Sequence, residues 1–144
     1  MKKLLLLLSL IFLTCAHKDG VPFKMVGNLP IIEAEVNGIN GKFLIDSGAE
    51  ISILDLNSMY IYGYSVDETK PKTFVTGIGG SQPTFTLKNV DFSVNDVPIE
   101  FIFKGLDIRT LRRSYGIVGI IGSDYMSKHN LMIDYDAKTL RKNK

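Results

Sequence analysis

Residues 43–49 read Phe-Leu-Ile-Asp-Ser-Gly-Ala, an apolar run that ends in a carboxylate. Such a carboxylate is costly to bury unless hydrogen bonds or an opposite charge compensate it. Gly48 can adopt backbone angles that other residues avoid, so the chain can turn sharply and offer N–H groups to Asp46. Ser47 adds a hydroxyl that donates or accepts. The segment predicts a supported carboxylate for acid–base chemistry, and the alternative is an ordinary turn aspartate followed by Ser-Gly.

The N-terminus has the composition of a secretory signal peptide. Two lysines precede an apolar run over residues 4–13, which is too short for an ordinary transmembrane helix. Cys15, the one cysteine, follows it, and Phe12-Leu13-Thr14-Cys15 loosely resembles the lipobox of bacterial lipoproteins. We predict a lipoprotein-like signal over 1–15, lipidation at Cys15, and an exported bacterial protein that is membrane-anchored, periplasmic or secreted. The alternative is ordinary signal cleavage that discards Cys15.

Charge and residue types exclude several classes of function. The chain has 17 Lys and Arg against 15 Asp and Glu, and loss of Lys2 and Lys3 with the signal leaves 15 of each, so nothing indicates nucleic acid binding. His17 and His129 have no partner at metal-ligand spacing, which predicts no metal and no cofactor. The sequence contains no Gly-x-Ser-x-Gly segment, which is the pattern that would indicate a serine hydrolase. The local basic patch is interpreted as a solvated loop face: Arg109, Arg112 and Arg113.

Many short β-branched runs separated by turn residues predict an all-β domain, a small closed barrel with one or two short helices. We expect a tether over 16–28 and the domain over 29–144. Asp55 is expected to cap a short helix that ends at Gly63, and a second helix is expected over 125–129. The predicted strands cover 29–36, 42–46, 51–54, 72–76, 84–87, 90–94, 98–103, 117–121, 131–135 and 139–141.

Two further segments carry chemistry. Residues 77–80 read Gly-Ile-Gly-Gly at the tip of a predicted hairpin, where glycines give mobility and close approach to a ligand. They do not form a phosphate loop, because no Lys-Ser/Thr follows. Residues 120–126 read Ile-Ile-Gly-Ser-Asp-Tyr-Met, in which Gly122 permits close backbone packing. Asp124 is expected to cap the following helix, and Asp134 to face outward from its strand.

The segments over residues 43–49, 77–80 and 120–126 occur in the order found in retropepsin-like aspartic proteases, which carry a single Asp-Ser/Thr-Gly per chain. The chain resembles this family, and within it the bacterial lipoprotein or secreted type. The resemblance implies that the glycine-rich hairpin is a flap that closes over a bound peptide, and that an apolar strand packs behind the catalytic loop. The implied site residues are Asp46 as the catalytic carboxylate, Ser47, Gly48 and Ala49 as loop support, Gly77, Ile78, Gly79 and Gly80 as the flap, and Ile121 and Gly122 as loop packing.

The resemblance also implies how the site works. Aspartic proteolysis needs two carboxylates that share one proton, and this chain has one Asp-Ser-Gly. The expected enzyme is therefore an endopeptidase whose homodimer activates a water between two Asp46 carboxylates, with Ser47 bonded across the interface. A non-catalytic peptide-binding or scaffold lipoprotein on the same fold is the alternative, because residues 104–116 look like an insertion that obstructs dimerisation. A β-barrel lipoprotein unrelated to proteases is a third.

Overall fold

The structure, a computed structural model, describes residues 20–143. These residues form fourteen short strands, three α-helices and one 3₁₀-helix. The strands are β1 (Val21–Pro22), β2 (Lys24–Val26), β3 (Leu29–Val36), β4 (Ile39–Ile45), β5 (Ile53–Asp55), β6 (Ser65–Val66), β7 (Thr73–Gly77), β8 (Gly80–Lys88), β9 (Phe92–Val94), β10 (Val97–Ile99), β11 (Lys104–Leu106), β12 (Ile117–Ile121), β13 (Leu131–Asp134) and β14 (Thr139–Lys142). The helices are the 3₁₀-helix Leu56–Ser58, α1 (Met59–Tyr62), α2 (Arg109–Tyr115) and α3 (Ser123–Lys128).

The main sheet follows the order β10-β9-β3-β4-β12-β5-β11-β8-β6, with β2 added to β3 and β7 added to β8. The all-β class is confirmed, whereas the closed barrel is wrong, because the path ends at β10 and β6 without a pairing that joins them. A separate three-stranded sheet has the order β1-β14-β13. In the main sheet, β12 runs parallel to β4 and antiparallel to β5.

Four strands, β3, β4, β12 and β5, bury apolar side chains on both faces of the sheet. Side chains alternate between faces along a strand. In β4, Phe43 and Ile45 enter the main core, whereas Leu44 enters a second apolar cluster on the opposite face. In β12, Ile121 joins the main core and Ile120 the second cluster. We call this second group the α2 cluster, because helix α2 packs on it; it comprises Ile31, Leu44, Ile53, Ile108, Ile117 and Ile120, with Leu29, Ala49, Ile51, Leu106 and Leu111 partly buried around it.

The segment expected to be a tether belongs partly to the fold. Residues 21–22 pair with β14, and residues 24–26 pair with β3. Between them Phe23 is 4 % exposed, lies in the main core and donates its N–H to the carbonyl of Lys138 at 3.0 Å. The burial of this aromatic ring is favourable enough to hold the short strands in place. The ordered fold thus begins earlier than residue 29, and the predicted signal and Cys15 lie outside the described residues.

The helix predicted between Asp55 and Gly63 is present, the second predicted helix begins earlier than expected, and a third helix was not predicted. Asp55 caps the 3₁₀-helix, accepting from the N–H of Asn57 at 3.3 Å, and α1 ends at Gly63, whose φ is +78°. Helix α3 begins at Ser123 rather than 125. Helix α2 was not predicted, since residues 109–113 were interpreted as a solvated loop. Strand β11 was not predicted either, since residues 104–116 were interpreted as an insertion, and the strand predicted over 98–103 is observed only as β10, which ends at Ile99. No helix within residues 20–143 is both long and apolar enough to cross a membrane.

Candidate active site

The loop over residues 46–52 connects β4 to β5, although β12 lies between these two strands in the sheet. The loop therefore crosses the carboxyl end of β12. Its first residue is held there, because Asp46 donates its N–H to the carbonyl of Ile121 at 3.0 Å. Asp46 itself is half-buried. Strand alternation continued from Leu44 directs the Asp46 side chain to the face that carries the α2 cluster. We call residues 46–52 the Asp46 loop.

Two N–H groups of the loop turn back onto Asp46. Gly48 donates its N–H to the Asp46 carboxylate at 2.9 Å, and Ala49 donates to the Asp46 carbonyl at 3.1 Å. These two bonds fix the position of the carboxylate relative to the turn. Gly48 is not among the residues with positive φ, so the expected reason for a glycine here was wrong. The structural reason is space: a Cβ on Gly48 would lie 3.2 Å from the Asp46 carboxylate oxygen. Ser47 is exposed beside it.

Gly122 lies directly beneath the crossing loop. A Cβ at this position would lie 2.7 Å from the carbonyl carbon and oxygen of Ile51 and 2.9 Å from the carbonyl oxygen of Ala49. These are backbone atoms and cannot rotate away, so no side chain fits without moving the loop. Ser123 then donates its N–H at 2.8 Å and its hydroxyl at 3.1 Å to the Ala49 carbonyl. Ile121 and Gly122 therefore both contact the Asp46 loop.

Asp124 and Ser52 join the far end of the loop to helix α3. The Asp124 carboxylate accepts from the N–H of Ser52 at 3.0 Å and from its hydroxyl at 2.7 Å. The Ser52 oxygen in turn accepts from the N–H of Gly122 at 2.9 Å. Asp124 also accepts from the Tyr125 N–H at 2.7 Å, but the residue at the N-cap position is Gly122, so the predicted capping role is corrected to a loop clamp. Sequence reasoning did not single out Ser52, which is fully buried.

The predicted flap is a β-hairpin formed by β7 and β8. Gly77 pairs with Gly80, so Ile78 and Gly79 form a two-residue tip. Gly80 has φ +95°, a conformation that favours glycine. Among residues 20–143 the tip has open surroundings: Ile78 is fully exposed, and a Cβ on Gly77, Gly79 or Gly80 would meet no described atom within 4 Å. An exposed isoleucine at a glycine-rich hairpin tip is suited to contacting a ligand or a second chain.

A buried carboxylate, Asp55, fastens helix α2 beside the site. Asp55 is fully buried and accepts from the N–H of Ile108 at 3.2 Å and the hydroxyl of Ser58 at 3.1 Å. Arg112 Nε lies 2.9 Å from Asp55 Oδ2, although its N–H is not aligned as a hydrogen bond, so the contact is an ion pair. Sequence reasoning missed this pairing. The signal for the helix was Asp107 before it and Gly116, at φ +71°, after it.

Ionisable groups around the site are perturbed by their surroundings. Three hydrogen bonds lower the pKa of Asp107 to about 2: they come from the Arg109 side chain, from the Arg109 backbone N–H and from the Asn57 side chain. Burial raises the pKa of Tyr125 to about 12. His129 follows helix α3, and burial together with Lys128 and Lys142 lowers its pKa. Asp134, which was expected to face outward, is half-buried: Arg141 Nε lies 2.9 Å from its carboxylate, and hydrogen bonds from the Ala137 N–H and from Arg141 lower its pKa.

No three His, Cys, Asp or Glu side chains within residues 20–143 converge as a metal site requires. The chemically capable group of the site is the Asp46 carboxylate, which accepts the N–H of Gly48. The sequence contains a single Asp-Ser-Gly segment, the one that begins at Asp46.

Comparison with known proteins agrees with this geometry. A family profile described as an aspartyl protease matches residues 32–125, more than half of the chain. The chain therefore belongs to the aspartyl protease family. The matched range includes the Asp46 loop, the flap, helix α2 and Gly122. A search of curated proteins finds no match.

Two solved structures have the same fold. The retroviral protease-like domain of Ddi1 from Leishmania major is 19 % identical with TM-score 0.55, covering 83 % of this chain and 90 % of that one. The EIAV protease, solved in complex with an inhibitor, is 22 % identical with TM-score 0.55, covering 73 % of this chain and 91 % of that one. The retropepsin-like fold predicted from the sequence is confirmed.

Proposed function

We propose that this protein is an aspartic endopeptidase in which two copies of Asp46, one from each chain of a homodimer, activate a water molecule. One carboxylate, ionised, takes a proton from the water, while the other, protonated, donates to the carbonyl of the scissile peptide bond. Like charges about 3 Å apart do not both ionise easily, so such a pair shares one proton and titrates as a unit.

The observation that carries the proposal is the support of Asp46 itself. Its loop is fixed at both ends, to Ile121 at the start and to Asp124 through Ser52 at the end. A catalytic carboxylate needs this preorganisation, since a small displacement of a reacting group costs much of the rate. The exposed flap tip at Ile78 is consistent with a second element that closes on a peptide.

A second chain is required because one chain supplies half of the dyad. Strand β13 is the candidate edge for assembly: β14 pairs with one side of it, and no described strand pairs with the other. A free edge is a template for another strand. Two copies of β13, related by a two-fold axis, would pair antiparallel and extend the small sheet across both chains.

Replacement of Asp46 by asparagine tests the chemistry. We expect Asp46→Asn to abolish cleavage of a peptide library at mildly acidic pH while leaving the unfolding midpoint unchanged, because the amide cannot accept the proton of water. Asp96→Asn is the matched control, since Asp96 is exposed in the β9–β10 turn at φ +61°, which asparagine tolerates. Cleavage by Asp46→Asn at the wild-type rate would refute the mechanism.

Mixing the two proteins tests the shared site. When Asp46→Asn and wild-type chains are mixed at a constant total concentration and exchange, activity should fall with the square of the wild-type fraction, because only wild-type pairs carry two carboxylates. A linear decrease would mean that one chain is catalytically sufficient. Inhibition by a statine-type peptide, which mimics the tetrahedral intermediate, provides an independent check of the class.

A non-catalytic peptide-binding protein is the second candidate, and one observation favours it: helix α2 occupies space on the Asp46 face of the sheet. A folded chain that binds extended peptides, remains monomeric in light scattering and cleaves no peptide would identify this function.

We also propose that the protein is exported and anchored by a lipid on Cys15, on the basis of the basic, apolar and cysteine-containing N-terminus. The domain would then extend to the C-terminus from about residue 21, with 1–15 as the lipoprotein-like signal. Expression of the full chain in a bacterium, with Cys15→Ala as the comparison, tests this. Loss of the membrane-bound fraction and of labelled fatty acid in Cys15→Ala supports it, and equal fractionation of both proteins contradicts it.

A further inference from the structure

A cavity of about 570 Å³ lies between the β9–β10 hairpin, the segment that follows it and the β3–β4 turn, and we call it the β9–β10 cavity. Gly38 of that turn precedes strand β4, whereas Asp46 follows the strand. The seven residues of β4 rise about 3.3 Å each, so the cavity lies roughly 25 Å from the Asp46 loop. It is therefore separate from the surface on which a peptide would be cut. Its apolar lining consists of Val90, Phe92, Pro98, Ile99 and Phe101.

The floor of the cavity is fixed by aromatic packing. Phe92 is 2 % exposed, and its ring centroid lies 5.3 Å from that of Phe43 and 5.0 Å from that of Phe103, both edge to face. The ring of Phe101 packs in the same manner on Tyr125 at 5.0 Å. Such contacts stabilise aromatic rings in one arrangement. The cavity is thus preformed and mostly apolar, as binding pockets generally are.

The rim of the cavity carries an excess of negative charge. Residues 89–103 contain Asp91, Asp96 and Glu100 but no lysine, arginine or histidine. Asp91 and Glu100 line the cavity and are exposed, and within residues 20–143 neither carboxylate takes part in an ion pair. Lys128 lies close by, but its Nζ donates to the backbone carbonyl of Glu100 at 3.1 Å rather than pairing with a carboxylate. Two carboxylates are therefore available to a cationic partner.

The surroundings of the cavity favour a partner larger than a small molecule. Val97 is 60 % exposed and Ile102 is 69 % exposed, and they adjoin lining residues in the sequence, so apolar surface extends beyond the cavity. Strand β10 is the end of the main sheet and pairs, among the described strands, with β9 alone. Pro98 lies in the middle of β10 and has no N–H, which weakens this edge as a template for another strand. A partner would therefore bind through its side chains.

We propose that the β9–β10 cavity binds a basic peptide segment of a partner protein. An apolar side chain of that segment inserts against Phe92 and Phe101, and a lysine or arginine beside it pairs with Asp91 and Glu100. Charge complementarity selects this occupant, since an acidic segment would be repelled by the rim and a neutral one would leave both carboxylates unpaired. The interaction needs neither the Asp46 carboxylate nor a second copy of the chain, so it goes beyond the proposed protease.

Substitution of the two carboxylates tests this surface. The probe is a fluorescein-labelled heptapeptide of alternating lysine and leucine, and its binding is measured by anisotropy to Asp46→Asn chains, which the proposed mechanism leaves unable to cut it. Adding Asp91→Asn with Glu100→Gln should weaken binding by about fivefold, because two exposed ion pairs are lost. Asp136→Asn with Glu68→Gln is the matched control, since it removes the same two charges from exposed positions outside the cavity. The control pair should change binding by less than about twofold.

Two further measurements decide where and how the probe binds. A heptapeptide with serine in place of leucine should bind more than about tenfold more weakly, because it has no apolar side chain to bury. An excess of a statine-type peptide should leave the bound fraction of the lysine–leucine probe unchanged. Absence of saturable binding, equal weakening by the two pairs of substitutions, equal binding of the serine peptide, or displacement by the statine-type peptide would each overturn the proposal. Cleavage activity does not enter any of these readouts, so failure of the protease proposal is scored separately.

Discussion

The Asp46 loop and the flap differ in how the rest of the chain holds them. Both are short, glycine-containing connections between strands. The loop is bound from behind at Asp46, Ala49 and Ser52. The flap tip, in contrast, has Ile78 fully exposed and no atom near the Cβ positions of its glycines. Glycine therefore permits close packing in one region and lies in open space in the other, which is the division that the proposed protease would require of a fixed reacting group and a cover that moves.

The largest difference in stability should appear between two variants that each add one methyl group, one beneath the Asp46 loop and one in the flap. Gly122→Ala places a Cβ 2.7 Å from the Ile51 backbone, so we expect a loss of more than about 3 kcal/mol in the free energy of unfolding, at the upper end of overpacking. Gly79→Ala is the matched change in the flap, where no atom lies within 4 Å, and it should alter stability by less than about 0.5 kcal/mol. Urea unfolding of both variants measures the difference. Equal midpoints would mean that the loop is not packed as described.

Arg112→Met should have the next largest effect. It keeps the apolar stem of the side chain but leaves the Asp55 carboxylate buried without its cation. Breaking a buried pair in this way costs about 3–5 kcal/mol, and we expect the lower end because Asn57, Ser58 and the Ile108 N–H still donate to Asp55.

Arg112→Lys is the control for charge, since it retains the cation and should recover part of the loss. Hydrogen exchange locates the change: the amides of helix α2 should exchange faster in Arg112→Met, while those of the flap hairpin remain as in wild type. Unchanged protection in helix α2 would contradict its attachment through Asp55.

Sequence reasoning located the Asp46 loop, the flap and Gly122 because each depends on local residue types. It failed for helix α2 because Arg109, Arg112 and Arg113 are polar and the partner of Arg112 is a carboxylate far away in the sequence. It also failed for the tether, since two- and three-residue strands have no periodicity of their own. Phe23 gains its place from the main core, which sequence alone does not reveal. In helix α2 and in the segment around Phe23, the structure depends on contacts with residues distant in the sequence, which local residue patterns do not indicate.

A smaller effect is expected from pH at His129. Burial lowers the pKa of this imidazole in the folded state, so the unfolded chain binds the proton more readily. Stability contributed by the neutral ring is present above the unfolded pKa of about 6.5 and is lost as pH falls through that value toward the folded pKa. The positive charges of Lys128 and Lys142 also disfavour protonation of the imidazole and so contribute to its lowered pKa.

The measurement is the urea midpoint of wild type and His129→Phe between pH 7.5 and 5. Phe101 and Tyr125 already surround the ring, so an aromatic replacement keeps the packing. We expect the midpoint of wild type to fall more than that of His129→Phe on acidification. Equal decreases of the midpoint in the two proteins would show that His129 does not make the stability depend on pH.

The smallest effect on stability should belong to the flap tip. Ile78→Ser removes a side chain that is fully exposed, so the free energy of unfolding should change by less than about 0.5 kcal/mol. If the tip covers a bound peptide, the same variant should raise KM for peptide cleavage, because the apolar contact is made only in the complex. Phe74→Ser is the matched control in the flap, since it also removes an exposed apolar side chain, but away from the tip. A KM that rises for Ile78→Ser alone would assign the contact to the tip, and unchanged kinetics in both would leave the flap without a role in substrate binding.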